Sequence, residues 1–232
     1  MIEVVARHGQ VEVARFTLPH GADPGAQVRA RGWTPESVAV TGRAPAVVLA
    51  YAVSPGPVVP APVLPGTPDA VTGEIRYAMR HTGPGGGVPQ RRLAAYALVV
   101  ADDRVLLTQL SQRIPDVGGD WLLPGGGIDP GETPAQAVAR EVWEETGQAI
   151  TGATLVAVRS LWRFGPSPDP RWSTNLHAIR LIHTATCAAP VEPVVHDVGG
   201  STAATRWVPW AQRLNLPLVP WARLVLTGDL RP

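Results

Sequence analysis

The sequence predicts an α/β protein in two parts, a small α+β unit ahead of residue 54 and a larger unit starting near residue 91. Three observations lead there. Residues 2–53 carry short β-rich runs around one stretch compatible with a helix. Residues 54–68 hold six prolines, which cannot donate ladder hydrogen bonds and favour extended chain, so they read as a linker. Beyond residue 91, long apolar runs flank one strongly marked helix between Thr133 and Gly147.

In the first part, Ile2–Val5 and Val11–Phe16 surround His8-Gly9 and predict a hairpin. Asp23–Trp33 suits a short helix, and Pro35–Val40 with Ala46–Val53 supply further strands. His8, His20 and Trp33 read as turn or packing residues, and no catalytic motif is visible here. Residues 54–90 form a Pro/Gly-rich linker with one possible strand, Gly73–Met79.

The second part, residues 91–232, opens with Arg92–Val100, apolar on both faces and therefore a buried strand. Asp102-Asp103 turns the chain and Val105–Gln109 returns. Thr154–Trp162, Asn175–Thr184 and Arg206–Pro209 read as further strands, with closing helical segments at Trp210–Leu214 and Trp221–Leu226.

Composition limits the functions available. Hydrophobic residues make up 45% and charged residues 17% of the 232, enough for a real core. The net charge of +1 and the lack of a basic block argue against an extended nucleic-acid or anionic-membrane surface. Cys187 is the single cysteine and reads as a small apolar filler on a strand. No signal-like or membrane-spanning apolar run stands out, which points to the cytoplasm.

The chemistry concentrates in Gly126–Gly147, GGIDPGETPAQAVAREVWEETG. Thr133, Pro134 and Gln136 supply an N-cap, a first-turn proline and a capping-box partner. Gly147 suits the left-handed residue that ends the helix. Glu141 lies three and four positions before Glu144 and Glu145, which puts three carboxylates on one face with Cβ atoms about 5–6 Å apart. Arg140 is four before Glu144 and can steady it. At an effective dielectric near 20, two charges ~4 Å apart interact by roughly 4 kcal/mol. Such a cluster calls for protons or a cation, and hard oxygen donors suit Mg²⁺ or Mn²⁺. The glycines at 125–127 allow backbone to approach a phosphate or metal closely.

The placement of Gly126, Glu132, Arg140, Glu141, Glu144, Glu145 and Gly147 resembles the box of the Nudix hydrolases, and the resemblance spans about residues 91–227. At ~6% per specified residue type, chance produces seven such matches roughly 10⁻⁹ of the time per start, so accident is no rival. The resemblance implies an α/β/α sandwich with a mixed sheet. It also implies metal-dependent hydrolysis of a diphosphate linkage in a nucleoside diphosphate derivative, with ADP-ribose-like molecules or nucleoside triphosphates as the substrates favoured. Carried over by position, Glu141, Glu144 and Glu145 would hold the metal with the carbonyl of Gly126, Arg140 would orient the carboxylates, and Glu132 would brace the loop against the helix through hydrogen bonds. The general base would be a later-loop carboxylate, Asp197 ahead of Glu192, or else a box glutamate. Arg163, Phe164, Arg171 and Trp172, with Trp162, would contact substrate. Pro166 lies near the position of the proline that ADP-ribose-type members carry past the box. Gln148 departs from the pattern, which has an apolar residue there. A small nucleotide is the partner implied, with a homodimer open. A nucleotide sensor that binds without turnover is the alternative function.

Overall fold

A computed structural model describes residues 1–61, 90–164 and 175–228. The possible strand at 73–79 lies outside them. The chain divides into two compact units that interleave along the sequence. One comprises Met1–Ala94, Asp129–Pro134 and Leu155–Leu181; the other comprises Ala95–Ile128, Ala135–Thr154 and Ile182–Pro232.

The first unit holds a four-stranded sheet of β1 (Ile2–His8), β2 (Val11–Thr17), β3 (Trp33–Arg43) and β4 (Ala46–Pro55), in the order β2-β1-β4-β3. The predicted hairpin is there: β1 pairs antiparallel with β2 and parallel with β4. In β4 burial alternates, with Val47, Leu49, Tyr51 and Val53 inside, as expected for a strand with one dry face. The predicted helix is α1 (Pro24–Arg29). Asp23 caps it by accepting from the Ala26 N–H at 2.7 Å, Pro24 starts it, and Val28 is its fully buried anchor.

The larger sheet is built from β5 (Gln90–Ala101), β6 (Arg104–Leu110), β7 (Trp121–Leu122), β8 (Gly125–Gly127), β9 (Thr151–Phe164), β10 (Asn175–Thr186) and β11 (Thr202–Pro209). It runs β11-β6-β5-β10-β9, with β7 on β6 and β8 on β5. Asp102 and Asp103 both take positive φ, 49° and 57°, as a tight turn between twisted antiparallel strands needs. Helices α2 (Pro134–Thr146) and α3 (Pro220–Thr227) cover the sheet.

Alternation along β5 assigns the layers. Ala95, Ala97 and Val99 share a core with Ala137, Val138 and Val142 of α2, so the alanines let that helix come close. Tyr96 points to the opposite face, where its ring meets Trp221 of α3 at 4.6 Å. Helix, sheet and helix are therefore stacked as the sequence leads one to expect, in an α/β/α sandwich. No helix among the described residues is long and apolar enough to cross a membrane.

Candidate active site

Helix α2 carries the box and spans the stretch the sequence predicts. It begins at Pro134, and Gly147 terminates it at φ +68°, donating its N–H to the Trp143 carbonyl at 2.8 Å. A side chain at 147 would be strained by that φ, and its Cβ would press to 3.0 Å from Nε2 of His196. At the other end of the box, Gly125 has φ +141° and a Cβ there would lie 2.2 Å from the Ala95 carbonyl oxygen. Only glycine lets the box loop lie this close to β5. A Cβ on Gly126 would fall 2.5 Å from a Glu141 carboxylate oxygen. The bare backbone at 126 is what makes room for that carboxylate.

Arg140 reaches across the turn as expected. Its Nη1 donates to Glu141 at 2.9 Å and to Glu144 at 3.1 Å, while Nη2 donates to the Gly127 carbonyl at 3.0 Å. One guanidinium thus ties the glycine loop to two carboxylates. Glu145 is different in kind. It is 7% exposed, and its carboxylate accepts from the Gly125 N–H at 2.9 Å and from the Thr202 hydroxyl. Burial pushes its carboxyl up to about 7, aided by the negative charges of Glu141 and Asp197, against the lowering effect of the two hydrogen bonds. Thr202 opens β11 and has no signature in sequence; folding alone brings it to Glu145.

Asp197 reaches the helix through backbone. The last carbonyls of a helix lack partners within it, and residues after β10 supply them. Val194 donates to Thr146 at 3.0 Å, and His196 and Asp197 donate to Glu144 at 2.8 and 3.0 Å. The His196 ring stacks on Trp143 with 4.6 Å between centroids and 6° between planes. The Asp197 carboxylate packs on Gly200, where a Cβ would lie 1.8 Å from Oδ2. Asp197 remains exposed, and so does Glu192.

Gln148 explains its own departure from the pattern. It is 1% exposed, donates from Nε2 to the Thr146 carbonyl at 3.1 Å and accepts from the Val191 N–H at 3.0 Å. A polar side chain is stable there because both its amide nitrogen and its amide oxygen have hydrogen-bond partners, and it ties the helix exit to the loop leading to Asp197. Cys187 lies beside it, buried in the apolar core as the filler expected, though one residue past the end of β10 and not on the strand itself.

The remaining expectations divide. Glu132 accepts from the Asp129 N–H at 3.0 Å, a bond within the loop itself. Arg163 lies in β9 and Phe164 is its last residue. Arg171, Trp172 and Pro166 fall outside the described residues. The Trp162 indole N–H donates to Asn175 at 2.9 Å. His8 bonds the Val53 carbonyl at 3.0 Å and tilts against Trp33, and His20 bonds Asn175 at 2.9 Å. His8, exposed at the hairpin turn, and the half-buried His20 and Trp33 make the kind of turn and packing contacts expected of them.

Among the described residues, no group of three or more His, Cys, Asp or Glu side chains is arranged to hold a metal by itself. The reason is visible. Arg140 draws Glu141 and Glu144 toward itself, and Glu145 turns to Gly125 and Thr202. The donor chemistry still fits a hard divalent ion. Mg²⁺ typically takes one or two carboxylates, keeps waters and completes its shell with substrate phosphates. A buried carboxylate pushed up to about 7 is one that a cation would relieve.

A family profile described as the NUDIX domain matches residues 90–227. The RNA pyrophosphohydrolase of Cereibacter sphaeroides is 37% identical over 84 residues, 36% of this chain and 50% of that protein. The human diphosphoinositol polyphosphate phosphohydrolase 3-alpha is 37% identical over 78 residues, 34% of this chain and 42% of its own. The chain thus spans about half the length of these curated relatives, or less. A MutT Nudix hydrolase structure from Burkholderia pseudomallei is 30% identical with a TM-score of 0.46, over 60% of this chain and 98% of that one. The profile covers more than half of the chain, and it takes in the glycine loop, helix α2 and the strands around them: the chain belongs to the Nudix family.

Proposed function

We propose that this protein hydrolyses the diphosphate linkage of a nucleoside diphosphate derivative, ADP-ribose-like or a nucleoside triphosphate, using Mg²⁺ or Mn²⁺. The observation that carries the reading is the division of labour within one helical turn. Glu141 and Glu144 are held by Arg140, while Glu145 is buried against the glycine loop with its carboxyl pushed up to about 7. The two curated relatives are named a pyrophosphohydrolase and a phosphohydrolase, which supports the same class.

Glu141, Glu144, Glu145 and the Gly126 carbonyl would hold the ion. When bound, it neutralises charge on the phosphate oxygens. Arg140 keeps two carboxylates oriented and the loop in place. Asp197 accepts a proton from water as the water oxygen bonds to phosphorus, and the bridging P–O bond breaks with its electrons leaving on the departing phosphate. Arg163, Phe164, Arg171 and Trp172 are proposed to contact the rest of the nucleotide.

The test is product release from a panel of nucleotides, with Mg²⁺ and with chelator, for wild type, Glu144→Gln and Glu145→Gln. Turnover should require the ion and be nearly abolished in both variants, since enzymic accelerations amount to ~8–23 kcal/mol of barrier. Full turnover in the folded variants would dismiss the site. Nucleotide binding by calorimetry with no product would favour the sensor.

A further inference from the structure

The sequence leaves the N-terminal unit without a role, and the tip of one of its hairpins suggests what it does. Strands β3 and β4 meet at Gly42–Ala46, where Gly42 has φ +92° and a Cβ would lie 2.6 Å from the Ala46 carbonyl oxygen. Only glycine closes this turn. The tip grips the box segment that precedes α2. Ala44 donates its N–H to the Glu132 carbonyl at 2.9 Å, and its own carbonyl accepts from the Gly131 N–H at 2.9 Å. Arg43 adds a third bond, Nη1 to the Gly131 carbonyl at 2.8 Å. Tip and segment belong to the same compact unit.

The gripped segment needs such help. It closes on itself through Glu132 N–H to the Asp129 carbonyl at 3.0 Å and Asp129 N–H to the Glu132 carboxylate at 3.0 Å. Yet it sits in GGGIDPGETP, whose glycines lose the most backbone freedom on ordering. It is also continuous with Gly126 on one side and with Pro134, the first residue of α2, on the other. Any drift at 129–132 would pass directly to both.

We propose that the β3–β4 hairpin tip is a positioning element of the catalytic centre, through which the N-terminal unit holds the box loop in its working geometry. Arg43 and Ala44 touch no reacting atom; they act through Gly131 and Glu132. The proposal rests on the hydrolase reading above and deepens it.

The experiment uses the full chain as wild type, Arg43→Ala, Arg43→Lys and Gly42→Ala. It follows amide hydrogen exchange at 128–134 without metal. It also follows kcat and KM with Mg²⁺ on whichever of ADP-ribose or ATP the wild type turns over. Losing one charge-assisted bond should lower kcat about 3- to 10-fold in Arg43→Ala with KM little changed. Arg43→Lys, which keeps a donor, should recover most of that. Gly42→Ala should speed exchange at Gly131 and Glu132 and lower kcat further. Unchanged exchange in both folded alanine variants overturns the proposal, as does faster exchange with full kcat. If Gly42→Ala does not fold, the two Arg43 variants decide alone. A wild type that turns over nothing defeats the hydrolase reading separately, while exchange still reports whether the tip holds the loop.

Discussion

The backbone N–H of Asp197 donates to the carbonyl oxygen of Glu144 at 3.0 Å. A loop residue is thereby fixed to the helix that carries the box, at one of the carbonyls the helix itself leaves unpaired. Its carboxylate is near enough to Glu145 to raise that group's affinity for a proton.

Asp197→Asn keeps the backbone bond and the packing on Gly200 but removes the proton acceptor. kcat should fall by ~10²–10⁴ with the melting temperature unchanged, the range typical of a lost general base. Steady-state kinetics beside a thermal melt checks this. Wild-type kcat in the variant would return the role of base to a box glutamate.

Gln148→Leu restores the family's apolar residue yet strands the Val191 N–H and frees the loop leading to Asp197. A buried donor left unmade costs about 1–3 kcal/mol, so the melting temperature should drop and kcat should fall with it. In an Asp197→Asn background the kcat effect should vanish if Gln148 acts through Asp197. Additive losses in the double variant would make Gln148 purely structural.

Glu145 gives the metal-free protein a pH dependence of definite sign. Its folded value, about 7, lies above the ordinary 4.5, so between these limits the folded state binds more protons than the unfolded one. Stability therefore falls as pH rises through that window and stays lower above it. At roughly 1.4 kcal/mol per unit the effect amounts to a few kcal/mol. Melts in chelator at pH 5 and pH 8 should show a smaller difference for Glu145→Gln, and Mg²⁺ at pH 8 should raise the wild-type melting temperature more than the variant's. Identical slopes would remove Glu145 as the titrating group.

His177 acts in the opposite sense. It is fully buried, its Nδ1 accepts from the Gly21 N–H at 3.0 Å, and Nε2 therefore carries the hydrogen toward Ser160 Oγ at 2.9 Å. Burial first, then Arg91 and His20, pulls it down to about 3 from 6.5. The unfolded chain thus takes up a proton that the fold refuses, so this stability is complete above pH 6.5 and is lost as pH falls toward 3. His177→Gln should flatten the acid limb of a urea-unfolding series between pH 4 and pH 6.5. An unchanged limb would show that another group sets it.

Local rules acting over a few residues made much of this protein legible before folding. The start of α2 at Pro134, its end at Gly147, the Asp102-Asp103 turn, the buried β5 and the reach of Arg140 to Glu144 all depend on neighbours within about one turn or one hairpin. The box spacing carried the family in the same way. Tertiary structure alone decided that Thr202 meets Glu145, that Gln148 holds Val191, that Asp197 hangs from Glu144, and that Arg43 and Ala44 grip Gly131 and Glu132. Each joins residues distant along the chain through hydrogen bonds that largely involve backbone groups, and a backbone N–H or carbonyl is the same at every position. Side-chain identity therefore leaves no trace of which partner it will find; only the closed sheets and the helix end put them within reach.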